Sequence, residues 1–325
     1  MSACPEVAEA VAALRAAGVL TAEEGERPGR VARGELVSVR AELRAAFYLG
    51  VLLLVSGVGL FLKENVDRIG PSAIAGAVGL AAGACLAWAW RKAAPPTWGE
   101  AAPSHPAFDY VLLLGALLAA ADLAWVEAQT RLLGPAWPLH LLVVALFYGA
   151  LAYRFDSRML LSLSLASFAA WRGLALSVAH ASLGPGDVVR LRWEALATGA
   201  LFAAVGVATA SAEKKAHFGD VWVNAGALLV FGGLLSGVFG SELDWGVWLV
   251  ALLGVSAAVA AAAYRWKRTL PFAQAVLAAY LGSMRAVFSQ GLGGGGFEAR
   301  FLLMAMLGGA ALATIFFAHR RMRIP

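Results

Sequence analysis

The sequence predicts an all-α fold, a polytopic transmembrane helical bundle of about ten spans with a short cytoplasmic helical segment at its N-terminus. Apolar residue types make up 60% of the 325 residues and charged types only 14%, against roughly 45–50% and 25% in soluble domains. The apolar residues fall into runs of about 20, the length at which a helix crosses a bilayer. The charged residues concentrate in the first 44 positions, which hold 13 of the 47.

This composition excludes several classes of protein. It does not fit a disordered chain, a disulfide-rich secreted domain or an ordinary soluble enzyme. The two cysteines, Cys4 and Cys85, form no C-x-x-C motif and lie in regions of opposite polarity, so we expect neither a disulfide nor a metal site. The net charge of +5 is spread over single or paired basic residues, which predicts no nucleic-acid partner. We expect no cofactor.

The first 44 residues are predicted to form a helical segment in the cytoplasm. Residues 7–17 have helical spacing and are followed by Gly18, and residues 21–24 resemble a capping box. Residues 31–44 are expected to continue as a helix into the first span. Two interpretations stay open for residues 1–44, a solvated cap on the first membrane helix or a module that binds a cytoplasmic protein partner.

Ten apolar runs then predict a transmembrane domain over residues 45–318, in contact with the lipid bilayer. Seven of the runs contain no charged residue, and the other three carry Asp122, Arg172 and Arg285. Helices are the expected state, because an isolated strand would leave its backbone groups unpaired in lipid. The predicted spans are residues 45–62, 72–90, 109–126, 132–153, 159–183, 195–212, 221–241, 245–264, 269–288 and 301–318.

The placement of lysine and arginine predicts the orientation. If the N-terminus is cytoplasmic and all ten spans cross, the inner segments hold 18 of these residues, the outer loops hold 7 and one lies within a span. Cytoplasmic loops carry such an excess, so both termini are expected in the cytoplasm. The inner segments are residues 1–44, 91–107, 154–158, 213–219, 265–268 and the basic tail 319–325.

The spans divide into five hairpins whose turns lie at the outer surface. Similar Gly-Leu patterns at residues 49–53, 114–118 and 225–229 suggest a duplicated two-helix unit, as in some transporters. Ala/Gly/Leu helices also resemble one another by chance, and this alternative stays open. The hairpins are residues 45–90, 109–153, 159–212, 221–264 and 269–318.

Asp122 and Arg172 are candidates for an intramembrane polar pair. A charge at bilayer depth costs at least about 2.5–3.5 kcal/mol on insertion scales, so each needs a reason to be there. Both residues lie roughly 20 Å from the inner start of their spans, and both spans run outward. The two side chains are therefore expected to meet at similar depth. They line a polar cavity or form a buried pair that sets the packing of the helices.

A second group of polar residues follows the first and third spans at the outer surface. They are candidates for a site that binds a small solute or cation, and the alternative is ordinary polar caps at headgroup level. The group consists of Glu64, Asn65, Asp67, Arg68, Glu127 and Gln129.

Several local sequences resemble a known family. Residues 18–21 precede an acidic pair, residues 64–71 end the first apolar helix, and residues 124–129 are followed by Trp137 at the next span. Over roughly residues 7–175 the chain resembles the bacterial predicted-membrane-protein family known as domain of unknown function 2157. The resemblance implies a multi-span protein of the bacterial inner membrane and implies no established reaction.

The expected function is transport or binding of a small solute through a polar cavity between helices. The alternative is a non-catalytic membrane scaffold or sensor that signals through the cytoplasmic N-terminal helices. No clustered His, Asp, Glu or Ser residues indicate catalysis, and we expect no enzyme.

Overall fold

The structure is a computed structural model of the full chain. It describes residues 15, 16, 18, 21, 40–64, 69–99, 107–179, 185–212, 215–240, 244–289 and 297–323. The chain divides by its internal contacts into two compact units, Met1–Ile69 and Gly70–Pro325. The predicted helices and capping box of residues 7–39 lie almost wholly outside the described residues, and their role as a cap or partner-binding module stays a prediction.

Ten α-helices make up the described part of the chain, which contains no strand. One helix belongs to the first unit and nine belong to the second. In the second unit a short 3₁₀ turn, Gly134–Ala136, precedes the helix that begins at Leu139. The all-helical fold is therefore confirmed for these residues. The helices are α1 Arg40–Glu64, α2 Pro71–Lys92, α3 Phe108–Thr130, α4 Leu139–Phe155, α5 Arg158–Ala179, α6 Pro185–Ser211, α7 Ala216–Gly240, α8 Trp245–Arg265, α9 Thr269–Ser289 and α10 Phe297–Arg323.

Six of these helices are long and apolar enough to cross a membrane: α2, α3, α6, α7, α8 and α10. They indicate a multi-pass membrane protein. In α1 and α4 the apolar segments are shorter, Ala45–Phe61 and Leu139–Phe155, while α5 and α9 carry Arg172 and Arg285. The ten predicted runs thus coincide with ten helices, but length and composition qualify six of them as spans.

Two helix starts differ most from the prediction. The run 132–153 becomes helical only at Leu139, because Pro135 and Pro138 favour the preceding turns over a helix. The helix α6 begins at Pro185, ten residues before the predicted span, and its first turns carry several charged residues. Hydropathy identifies only the part of a helix that is apolar enough to lie in lipid. A helix can extend beyond that part when its charged side chains have partners, and its start then precedes the predicted span.

The closest helix pairs are α2 with α3, α4 with α5, α6 with α7 and α8 with α9. Each pair is joined by one of the predicted inner segments, so the outward hairpins are not the units of closest packing. We call the end of the second unit where these pairs are joined the basic end, and we call the opposite end the far end. The C-terminus of α10 also lies at the basic end, where His319 contacts Thr269 across 3.3 Å.

Glycine brings the backbones of α6 and α7 together. A Cβ atom placed on Gly226 would lie 2.6 Å from the carbonyl oxygen of Gly199, and one on Gly206 would lie 2.9 Å from that of Gly219. The two glycines of each helix are seven residues apart, which keeps them on one face. Close packing through small residues drives association of helices in lipid, where no hydrophobic force acts between them.

The helix α7 is the centre of the second unit. In its membrane-length window 39% of the residues are buried, against 11–22% in the other five candidate spans. Phe231, Leu234 and Val238 of α7 pack with Leu252 of α8 and with α9. The last helix joins this core near the basic end, where Met322 packs near Phe272.

Large apolar side chains remain exposed on the helices outside this core. Leu53 of α1 is 64% exposed, Leu80 of α2 is 78% exposed and Val250 of α8 is 73% exposed. In water such surfaces would be rare over so many helices. They fit contact with a lipid bilayer.

Candidate functional site

Asp122 lies on α3 at its contact with α2. A Cβ atom on Gly79 would lie 3.0 Å from Asp122 Oδ2, so the glycine makes room for the carboxylate. The other oxygen, Oδ1, is buried and has no hydrogen-bond partner. One turn later, Trp125 Nε1 donates to the carbonyl oxygen of Pro71 across 3.2 Å. Trp125 thus holds the far end of α3 against the start of α2, beside a carboxylate that keeps one oxygen unsatisfied.

Arg172 does not pair with Asp122. Its Nη2 donates to Glu194 Oε2 on α6, and its guanidinium carbon lies 5.9 Å from the centre of the Trp171 ring. The expected Asp122–Arg172 pair is therefore replaced by a pair between α5 and α6. Because the sequence placed residue 194 before the sixth span, Glu194 was not considered as an intramembrane partner.

The predicted outer polar site is divided by the two units. Glu64 ends α1 and is exposed, whereas Asn65, Asp67 and Arg68 lie outside the described residues.

In the second unit both carboxylate oxygens of Glu127 accept the backbone N–H of Leu133, each across 3.2 Å. Glu127 thus closes the turn after α3. Gln129 is exposed at the end of the same helix. The contact of Glu127 is thus with its own turn, which agrees with the interpretation of this residue as a polar cap.

A second polar contact, between α7 and α9, involves two residues with amide side chains. Gln274 Nε2 on α9 donates to the backbone carbonyl oxygen of Asn224 on α7 across 3.4 Å. The side-chain oxygens of both residues, Asn224 Oδ1 and Gln274 Oε1, are buried without a hydrogen-bond partner. Buried oxygens of this kind are normally satisfied by water, an ion or a ligand. We call these two residues the amide pair.

The amide pair was missed by sequence reasoning, which searched the spans for charged residues. A signal was present, because Asn224 and Gln274 are the amide residues of two largely apolar runs. Intramembrane Asn and Gln side chains bond across helices in the same way as charged ones. What the sequence does not contain is the rotation of α7 and α9 that brings the two residues to one contact.

The most buried ionic cluster lies at the basic end. Asp156 Oδ1 is 2.7 Å from Lys215 Nζ and 2.7 Å from His217 Nε2. The side chain of Asp156 is 4% exposed and that of Lys215 is 7% exposed. Charges buried this deeply are stable only when they are paired.

This cluster fastens three connecting segments together. Asp156 ends α4 in the left-handed conformation, with φ 60°, and Lys215 precedes α7 with φ 53°. The backbone N–H of Lys215 donates to the carbonyl oxygen of Trp98 across 2.8 Å. The α4–α5 turn, the α6–α7 turn and the segment after α2 therefore meet at one point. Sequence reasoning missed it, because Asp156 lies about 60 residues along the chain from Lys215 and His217.

A surface cavity of about 370 Å³ lies near this end, between the last turns of α6 and the α8–α9 turn. Its lining residues are Val207, Ala210, Ser211, Trp266 and Arg268. Arg268 Nη1 forms an ion pair with Asp220 Oδ1 of α7 at 3.0 Å. Asp220 is one helical turn from Asn224 of the amide pair.

No three His, Cys, Asp or Glu side chains of the described residues come together as a metal site. Within the same residues, His217 and His319 are each used in a contact between elements. The chain was compared with models of protein families, with curated proteins and with solved structures, and none of them matches it.

Proposed function

We propose that the protein is a membrane carrier of a small hydrogen-bond-donating solute, with the amide pair as its recognition element. The observation that carries the proposal is the pair of buried side-chain oxygens, Asn224 Oδ1 and Gln274 Oε1, that have no donor. They lie on α7, the most buried helix, and on α9, which packs against it. Polar groups at this depth are costly unless they have a functional partner.

The chemistry of the amide pair selects the class of solute. The two side-chain oxygens accept hydrogen bonds or bind a small cation. The amide nitrogen of Gln274 is already used, since it donates to the backbone of Asn224. A compact organic cation such as methylammonium or guanidinium supplies several N–H donors to such oxygens. Asp220, one turn nearer the basic end, adds a negative charge on the approach and is paired with Arg268 at 3.0 Å.

Access to the amide pair is tested by cysteine labelling in a background in which Cys4 and Cys85 are replaced by serine. Asn224→Cys and Gln274→Cys are expected to react with a water-soluble thiol reagent applied to the full chain in vesicles. The matched control is Leu228→Cys on the same helix, since Leu228 is 64% exposed on the apolar surface and is expected to stay protected in lipid. Protection of positions 224 and 274 to the same degree as 228 would remove the basis for a carrier.

Transport is then measured as uptake of radiolabelled guanidinium and methylammonium into proteoliposomes. Asn224→Leu and Gln274→Leu keep the size of each side chain and remove its oxygen. Losing a hydrogen bond to a charged group is worth about 1.5–3 kcal/mol, so uptake at low solute concentration is expected to fall at least tenfold, to order of magnitude. If the cysteines are labelled but neither solute enters, the site binds a ligand without carrying it.

We further propose that the basic end faces the cytoplasm of a bacterial inner membrane. The distribution of 18 Lys and Arg on one side against 7 on the other supports this orientation. The resemblance to domain of unknown function 2157 over residues 7–175 supports the same location. The cavity beside Arg268 would then be the cytoplasmic entrance to the amide pair.

A further inference from the structure

We propose that a groove at the far end of the second unit binds the phosphate headgroup of an anionic glycerophospholipid. The groove has a volume of about 330 Å³ and is lined by Phe239 of α7 and by Met284, Arg285 and Phe288 of α9. One guanidinium group thus lies among three apolar side chains. This combination matches a ligand that has a charged head and apolar chains.

Arg285 has no partner within the described chain. Its Nε is buried and forms no hydrogen bond, and no ion pair or hydrogen bond of the structure includes its side chain. A buried N–H donor without an acceptor costs roughly 1–3 kcal/mol, and more when the group is charged. A phosphate oxygen is the acceptor for which the planar guanidinium group is best suited.

Two further arginines increase the positive potential around the groove. Arg300 at the start of α10 donates from Nη1 to the carbonyl oxygen of Phe288 across 3.5 Å, and its Nε is buried without a partner. Arg192 of α6 is 5% exposed, and its Nη2 would lie 3.3 Å from a Cβ atom on Gly240, the residue after Phe239.

Among the residues that the structure describes, none of these arginines forms an ion pair with a carboxylate. Arg192 is satisfied by Ser236, through Oγ and the backbone oxygen at 3.1 Å each, and by the Trp248 ring at 4.7 Å. The carboxylate of Glu194, next to it on α6, is used by Arg172. For the part of the chain that is described, three guanidinium groups therefore surround the groove with no ion-pair partner of their own. Such a concentration of charge attracts an anion.

The position of the groove points to a lipid as the source of the phosphate. Arg285 is 16 residues along α9, about 24 Å from its start at the basic end. In a bilayer with a hydrocarbon core about 30 Å thick, its long side chain can extend from there to the opposite headgroup region. Phe239 is 47% exposed and Met284 is 38% exposed, and both surfaces would face the acyl chains. Basic pockets between transmembrane helices are a general kind of binding site for anionic headgroups.

The test is native mass spectrometry of the full chain with dioleoyl-phosphatidylglycerol, dioleoyl-phosphatidylcholine and inorganic phosphate. We expect phosphatidylglycerol to bind at least tenfold more tightly than phosphatidylcholine, to order of magnitude. Both lipids offer a phosphate to Arg285, but the choline ammonium of phosphatidylcholine neutralises that charge and is repelled by the arginines. Arg285→Gln should remove this preference, and Arg285→Lys should restore part of it. Arg131→Gln is the control, since Arg131 is an exposed arginine at the same end of the molecule.

Four results would overturn the proposal. Equal affinity for the two lipids would show that the groove does not select a net anionic headgroup. An unchanged preference in Arg285→Gln would show that Arg285 does not provide the selection. Equal loss in Arg131→Gln would show a general effect of charge. Full displacement of the lipid by millimolar inorganic phosphate would assign the groove to a free anion. Phe239→Ala distinguishes these cases, because it weakens lipid binding about tenfold through the lost apolar contact and leaves the binding of free phosphate unchanged.

Discussion

Burial decides which ionic contacts of this protein matter for its stability. Asp156 is 4% exposed in its contact with Lys215, whereas Asp220 is 54% exposed in its contact with Arg268. Removing one partner of a buried pair leaves the other charge without compensation, which costs several kcal/mol. An exposed pair exchanges its partner for water and loses little.

We expect Asp156→Asn to lower the free energy of unfolding by about 3–5 kcal/mol, because Lys215 is left as a buried charge. Asparagine also tolerates the left-handed conformation that Asp156 adopts at φ 60°, so the backbone adds no strain of its own. The measurement is the apparent melting temperature of the detergent-solubilised protein. The control, Asp220→Asn, should change it far less. Equal effects of the two substitutions would contradict the role given to burial.

At the scale of the elements, glycine spacing determines how closely α6 and α7 approach. Gly226 faces the backbone of α6, with Gly199 O 2.6 Å from the position of a Cβ atom, whereas Gly232 on the same helix has nothing within 4 Å of its Cβ position. The two glycines are six residues apart in one helix and differ only in what they face. They therefore form a matched pair for separating packing from helix propensity.

The two glycines should respond to alanine with opposite signs. Gly226→Ala is expected to destabilise the protein by about 1–3 kcal/mol, because the added methyl group pushes two helix backbones apart. Gly232→Ala is expected to stabilise it by up to about 1 kcal/mol, since alanine costs less backbone entropy than glycine in a helix. Thermal unfolding of both variants in one detergent provides the comparison. The same sign in both would mean that close approach of α6 and α7 is not required.

At the scale of the whole molecule, a helix crosses the membrane when its two ends lie on opposite sides. The positions of the helix ends therefore determine the number of crossings. Six helices qualify as spans by length and composition, and the antiparallel pairing of α8 with α9 places the end of α9 at the far end. The arginine in α9 lowers its hydropathy without changing where the helix ends. We therefore expect α9 to cross as well.

Single cysteines in the Cys4→Ser, Cys85→Ser background test this topology. Gln129 and Glu298 are exposed residues at the far end, and Arg321 is an exposed residue at the basic end. A membrane-impermeant maleimide should label cysteines at 129 and 298 in intact cells and reach position 321 only after permeabilisation, as the positive-inside rule requires. Protection of position 298 together with 321 would mean that α9 does not cross.

The sequence by itself determined the helical class, the approximate position of each of the ten helices and the concentration of basic residues at one end. These are local properties, because hydropathy along about 20 residues depends on neighbours in the chain. It also identified Asp122 and Arg172 as the charges that need an explanation within their spans. Of the predicted outer site, the structure describes Glu64 in one unit and Glu127 and Gln129 in the other, and it gives a contact only to Glu127, which closes a turn.

Only the tertiary structure decided which polar groups meet. Arg172 pairs with Glu194, a residue on a helix that begins ten positions before the predicted span. The contact of Asp156 with Lys215 joins residues 59 positions apart, and that of Gln274 with Asn224 joins residues 50 apart. Such contacts depend on the rotation and register of packed helices, which are set by the fit of glycines and large side chains across each interface. Apolar patterning along one helix does not contain that information.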